Sequence, residues 1–157
     1  KRARERALRL LALRGRSRAE LRKKLAERDF TKPVIDRVLE NLGELGYLDD
    51  EAFAVNRARH LAVNRLYGNR KIEEQLREKG IAREAAKEAI REVREEFPEK
   101  EGIARYAAKK LQGHSPGGLD KKERLALARA LQGKGYHLAL ILDYLGPYEE
   151  SIADDAE

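Results

Sequence analysis

The ten residues Ile72-Glu73-Glu74-Gln75-Leu76-Arg77-Glu78-Lys79-Gly80-Ile81 decide the fold, because the chain spells their pattern three times. Fifty-one residues earlier, Leu21, Leu25 and Phe30 stand where Ile72, Leu76 and Ile81 stand; fifty-five residues later the same places hold Leu127, Leu131 and Tyr136. In the second and third copies a Lys-Gly pair, Lys79-Gly80 and Lys134-Gly135, precedes the apolar landing residue. Glycine there supplies the left-handed turn that ends a helix. The first copy has Asp29 at that place, which enters such a turn less comfortably.

The flanking segments repeat with it. Upstream, Ala3, Ala7, Leu10 and Leu11 lie on one helical stripe, matched by Ala54, Ala58, Leu61 and Ala62, then by Ala104, Ala108 and Leu111. Downstream, Val34, Ile35, Val38 and Leu39 map to Ala85, Ala86, Ala89 and Ile90, then to Leu140, Ile141, Tyr144 and Leu145, each set spaced as a buried helical face. About four extra residues enter the third copy in the loop Gly113-His114-Ser115-Pro116-Gly117-Gly118. Ser17 with Glu20, and Asp120 with Glu123, read as capping boxes. Thr31 with Pro33 reads as a further helix start, Gly46 as the end of a third helix, and Asp49 or Asp50 as the cap of a fourth. The expected fold is all-α: three tandem three-helix, helix-turn-helix-like repeats over residues 1–48, 49–97 and 98–157, the last with a Gly-rich loop and an acidic tail. Units of this size bury little surface alone, so stacking into an elongated, curved array is what stabilises them. Breakers every dozen or so residues argue against a coiled coil.

Composition narrows the classes of function. Charged residues are 39% of the chain and the apolar set 41%, too apolar for disorder. There is no cysteine, hence no disulfide framework or thiolate metal site. No apolar run approaches the roughly 20 residues that span a bilayer, and no signal peptide is visible, so a cytoplasmic protein without membrane contact is expected. Lys1 begins a chain with no methionine, so a short native N-terminal piece is expected to be missing. No spare apolar stripe remains, which favours a monomer. Residues 1–28 carry twelve Lys/Arg against three acids, +9, whereas residues 98–157 carry nine against ten, −1. An anionic partner touching the first part of the chain is the implication.

The stretch Arg16-Ser17-Arg18-Ala19-Glu20-Leu21-Arg22-Lys23-Lys24-Leu25, then Leu45-Gly46-Tyr47-Leu48-Asp49-Asp50-Glu51-Ala52-Phe53-Ala54, resembles the RecX family. So does Tyr67-Gly68-Asn69-Arg70-Lys71-Ile72 followed by Leu76-Arg77-Glu78-Lys79-Gly80-Ile81. The likeness covers the first two-thirds of the chain, with Leu45 to Asp50 its most specific run; residues 98–157 match in pattern and length more than in identity. It implies a regulator that binds RecA recombinase filaments on DNA, restrains strand exchange and ATP hydrolysis, and so modulates recombination, repair and the SOS response. It transfers no catalytic residue and no cofactor.

Candidate contact residues follow from charge at equivalent places. Arg14, Arg16, Arg18, Arg22 and Lys23 gather where the first helix ends and the second begins; Arg65, Tyr67, Arg70 and Lys71 do so in the second repeat. Cations at a helix N-terminus oppose the macrodipole, so folding alone does not favour them there. A solvated face and a surface for DNA phosphates or an acidic filament subunit are both open readings. Tyr67 either stacks on a partner or packs between helices. Gly46, Tyr47, Leu48, Asp49 and Asp50 are expected to be structural, with Tyr47 and Leu48 wedged between repeats one and two and an aspartate capping the next helix. His60, His114 and His137 have no ligand spacing, so no metal is expected, and neither glycine-rich stretch ends as a phosphate-binding loop does. Nothing resembles an enzyme's constellation. The rival reading is a helix-turn-helix DNA reader using residues 33–45 or 83–94, disfavoured by Asp36, Glu40, Glu44, Glu84, Glu88 and Glu92; a helical adaptor for some other protein is the third.

Overall fold

The structure is a computed structural model that describes residues 1–112 and 116–148; Gly113, His114 and Ser115 of the glycine-rich loop and the acidic tail 149–157 lie outside the described residues. Among the described residues there are nine α-helices and no strand. They are α1 (Arg2–Leu13), α2 (Arg18–Glu27), α3 (Lys32–Glu44), α4 (Asp50–Val63), α5 (Asn69–Glu78), α6 (Arg83–Glu96), α7 (Glu99–Leu111), α8 (Lys121–Gly133) and α9 (Leu138–Leu145), with one 3₁₀ turn at Pro116–Gly118.

The helices begin where side chains supply hydrogen-bond acceptors. Ser17 accepts from the Glu20 N–H at 3.1 Å while Glu20 accepts from the Ser17 N–H at 3.2 Å, a complete capping box for α2. Asp120 and Glu123 do the same for α8. Asp49 is the aspartate that caps α4, accepting from the Ala52 N–H at 3.1 Å. Thr31 precedes α3 without a side-chain cap bond, and Pro33 in the first turn does the starting instead. Helix ends are equally local. Gly46 at φ 80° ends α3, and both Tyr47 and Leu48 return their N–H groups to the Leu42 carbonyl. Asp29 does adopt the left-handed turn, at φ 63°, matching Gly80 at φ 80° and Gly135 at φ 102°.

In the first repeat α1 packs on both α2 and α3, and α2 on α3. Ala3, Ala7, Leu10, Leu21, Leu25, Ile35, Val38, Leu39, Leu42 and Leu48 form its core. Each large apolar side chain so buried contributes about 1.5–3 kcal/mol relative to exposure. Val34, expected on the buried stripe of α3, sits at its margin and is exposed. In the third repeat α9 packs on α7 and α8 around Ile103, Ala107, Leu127, Leu131, Tyr136 and Ile141.

By mutual contact the chain gathers into two compact units. Unit one holds Lys1–His60 and Glu73–Val93; unit two holds Leu61–Ile72 and the chain from Arg94 on. The second repeat is divided, its α4–α5 connection falling in unit two and most of α5 and α6 in unit one. The physical reason lies in two junctions between successive repeats, one inside each unit.

Candidate functional site

The first junction sets the start of α2 against the turn after α5. Ser17, fully buried, donates from its hydroxyl to the Lys79 carbonyl. The Arg18 N–H donates to Asp50 Oδ1 at 2.7 Å, so the second aspartate of the hallmark run ties this helix start rather than capping its own. Glu20 is the electrostatic centre: Arg14 Nη2 lies 2.7 Å and Lys79 Nζ 3.3 Å from Oε2. Partial burial pushes the Glu20 carboxyl up, but the Arg14 hydrogen bond, the Ser17 N–H and the charges of Lys79 and Arg14 outweigh it and hold it at about 2.

The second junction is the same construction moved along the chain. Adding the repeat shifts, Ser17, Ala19 and Glu20 become Gly68, Arg70 and Lys71, while Lys79 and Gly80 become Lys134 and Gly135. The Gly68 N–H donates to the Lys134 carbonyl at 2.8 Å and the Arg70 N–H to the Gly135 carbonyl at 3.2 Å. The backbones lie so close that a Cβ on Gly68 would fall 2.4 Å from the Gly135 carbonyl carbon. Arg94 braces the connection from beneath, donating to Asn69 Oδ1, the Tyr67 carbonyl and the Phe97 carbonyl at 2.7, 2.9 and 3.1 Å. The Tyr136 hydroxyl donates to the Leu66 carbonyl at 2.8 Å.

Tyr67 is buried, at 7% exposure, and its ring is the floor beneath a group of cations. Lys71 Nζ stands 4.5 Å from the ring centroid, Arg65 Cζ and Lys134 Nζ each 5.3 Å. Lys134 also lies 5.5 Å from the Tyr106 ring, which Lys110 approaches at 5.7 Å. Burial lowers the Lys134 ammonium from its ordinary range; Tyr67 opposes this, while Lys71, Arg65 and Lys110 push in the same downward direction.

The residues singled out from sequence therefore separate. Arg14 and Arg18 serve the first junction, the latter through its backbone. Arg16 donates from Nε to the Leu10 carbonyl; burial and then the neighbouring Arg14 lower its pKa. Arg22 pairs with Asp36 on α3, and Lys23 is exposed. Arg65, Tyr67 and Lys71 come together, and Arg70 donates to the Gln132 carbonyl. Of the pair expected to wedge between repeats, Leu48 is buried in the first repeat's own core and Tyr47 is 60% exposed. The left-handed turn at Gly46 reverses the chain so that successive side chains point opposite ways, and only one of the two faces the core. Tyr47 instead lines a cleft of about 680 Å³ with Leu11, Arg14, Arg16, Phe53 and Arg57, where the Arg57 Nε is buried without a hydrogen-bond partner. Lys134, Lys110 and Arg94 were not reached from the sequence, although the repeat shift that pairs Lys79 with Lys134 was a signal for the first.

No described helix is long and apolar enough to cross a membrane, and among the described residues no group of three His, Cys, Asp or Glu could hold a metal ion. The family model for the RecX first three-helix domain matches residues 3–42, and that for the RecX second three-helix domain matches residues 49–90. The protein called regulatory protein RecX in Mycobacterium sp. strain JLS is 35% identical over 140 residues, which cover 87% of this chain and 75% of that protein. A namesake in Thermus thermophilus is 36% identical over 140 residues, 87% of this chain and 85% of the relative. The crystal structure of RecX from Lactobacillus salivarius superposes with a TM-score of 0.78 at 22% identity, covering 92% of each chain, and so shares the fold. With both domain models matched in order and relatives alike over most of their length, this chain belongs to the RecX family of regulatory proteins.

Proposed function

We propose that this protein acts without catalysis of its own, binding the RecA–DNA filament and restraining its ATP hydrolysis and strand exchange, and so works in the cytoplasm on recombination, repair and the SOS response. The observation that carries this reading is the repeated cationic helix start: Arg14, Arg16, Arg22 and Lys23 in the first repeat, Arg65, Arg70 and Lys71 in the second, in a chain of the regulatory RecX family. Arg70 and Lys71, in the first turn of α5, oppose the helix dipole, and a polyanionic partner offsets that cost. A filament presents phosphates and acidic protein surface at regular intervals, which suits a chain built from regular intervals. Sequence reading by α3 or α6 is less well supported, since Asp36 on α3 pairs with Arg22 and Glu88 on α6 with Arg91, leaving mixed-sign faces.

The test is the ATPase rate of the recombinase from the same organism on single-stranded DNA, with this protein titrated in below stoichiometry. A dose-dependent fall, with no nuclease or ATPase activity from the protein alone, is expected. An unchanged rate would sink the reading and favour a DNA-binding or adaptor role.

A further inference from the structure

The two junctions share a backbone plan and differ in charge. In the first, Glu20 sits between Arg14 and Lys79 and neutralises part of their charge. Their equivalents in the second are Arg65, Lys71 and Lys134, so the place of the central carboxylate is taken by a third cation. These three crowd one buried tyrosine ring, and Lys110 joins from α7 beside Tyr106. Among the described residues no carboxylate pairs with Arg65, Lys71, Lys110 or Lys134; the short-range partners are ring faces, the Tyr67 hydroxyl and the carbonyls of Gly133 and Arg65. Cation–π contacts attract each cation to a ring but do nothing to reduce repulsion among the cations themselves. Lys71 also lies in the first turn of α5, where a positive charge opposes the helix dipole; Glu99 accepts from the Asn69 N–H at that helix start at 3.1 Å but pairs with none of these four cations. The ring and carbonyl contacts hold the cations in place, but nothing among them relieves the mutual repulsion as Glu20 does in the first junction.

We infer that the second junction is a phosphate-binding site for a nucleic-acid backbone, with Arg65, Lys71, Lys110 and Lys134 as the contacts and the Tyr67 and Tyr106 rings holding the ammonium groups in place. The first junction, carrying its own acid, does not bind phosphate in this way. The inference deepens the filament reading, rests on it for its biological setting, and assigns the DNA contact to one junction. Backbone phosphates fit because each brings one negative charge with oxygens free to accept from several ammonium or guanidinium donors at once.

The decisive variant is Lys71→Glu, which places a carboxylate between Arg65 and Lys134 as Glu20 lies between Arg14 and Lys79. Its melting temperature is expected to equal or exceed that of the parent, while affinity for a fluorescein-labelled thymidine oligonucleotide of about 15 nucleotides falls tenfold or more at low salt. The slope of log affinity against log salt should fall by about 1–2. Lys110→Glu, exposed and clear of the backbone junction, should lose affinity several-fold with its melting point unchanged. Lys122→Glu on α8 makes the same change in net charge and should bind as the parent does. Parent-like binding by both Lys71→Glu and Lys110→Glu overturns the site, as does an equal loss in Lys122→Glu. Recombinase ATPase assays on the same variants separate the two readings. Oligonucleotide binding lost at Lys71 without any inhibition by the parent protein keeps the site and removes the filament role; inhibition by the parent with binding unmoved at Lys71 does the reverse.

Discussion

Gly80 and Ala19 meet so closely that a Cβ on the glycine would lie 2.2 Å from the alanine methyl carbon. Two demands coincide at Gly80, since its φ of 80° is one that other residues enter at a cost. Gly80→Ala is therefore expected to destabilise the protein by about 2–4 kcal/mol, from positive φ and overpacking together. Gly133→Ala is the contrast. Gly133 ends α8 with open space around its Cα, so alanine there should be neutral or stabilising by up to about 1 kcal/mol. Urea melts of both variants check the pair; equal effects would contradict the close approach.

Glu20 makes the acid limb of stability specific. Its carboxyl is held at about 2 in the folded chain against an ordinary value of 4.5, so its contribution is complete above the ordinary value and lost as pH falls toward the folded one. Glu20→Gln should lower the melting temperature at pH 7, with the difference narrowing below about pH 4.5 and closing near pH 2. A difference independent of pH across that window would mean that the charge of Glu20 is not what holds the junction.

Tyr136 should titrate late. Burial pushes its hydroxyl up, partly opposed by Arg94 and aided by Glu99, to about 12. A phenol raised in the folded state stabilises fully below its ordinary value and loses that contribution as pH rises through the folded one. Spectrophotometric titration should show a late tyrosine phase near pH 12, and Tyr136→Phe should remove it. The same variant leaves the Leu66 carbonyl without its donor and should cost about 1–3 kcal/mol.

Arg94 gives two hydrogen bonds to the connection that carries Tyr67, at the Tyr67 carbonyl and Asn69 Oδ1, and a third to the Phe97 carbonyl after its own helix. Arg94→Ala is expected to cost about 3 kcal/mol or more, and Arg94→Lys should recover only part, because an ammonium cannot reproduce the planar spread of a guanidinium. Thermal denaturation of the two variants checks the order. Full recovery by lysine would reduce Arg94 to a point charge.

Helices and cores were legible because helical periodicity is local and survives changes of residue. The capping boxes at Ser17 and Asp120 and the turns at Gly46, Gly80 and Gly135 were also local, each decided within a few residues. Tyr47 misled because its direction depends on how sharply Gly46 turns the chain, which spacing alone does not state. The basic helix starts were visible as charge, but nothing in their order separates Arg14, bound to Glu20, from Arg65, bound to the Tyr67 hydroxyl. That distinction needs the distant Lys79 and Lys134, which only the repeat alignment connects to them. Asp29 shows that the left-handed turn tolerates a side chain; glycine is required at position 80 by the approach of the Ala19 methyl and at position 135 by that of Lys71 and the Gly68 carbonyl, a tertiary cause that a local reading takes for turn chemistry.

The buried Ser17 hydroxyl finds its acceptor 62 residues further along the chain, and Tyr136 meets Leu66 across 70. During synthesis the first repeat can close its own core as soon as Leu48 has emerged, yet the mouth of α2 stays open until Lys79 arrives. Seen as a sequence of events in time, the nascent chain folds by deferred locking: each repeat gathers on local contacts, and the repeat after it supplies the key. Long-range closures of this kind are slow steps. A nascent chain exposed beyond residue 48 but short of residue 79 would leave Ser17 and Glu20 uncovered, within reach of solvent exchange or of a chaperone.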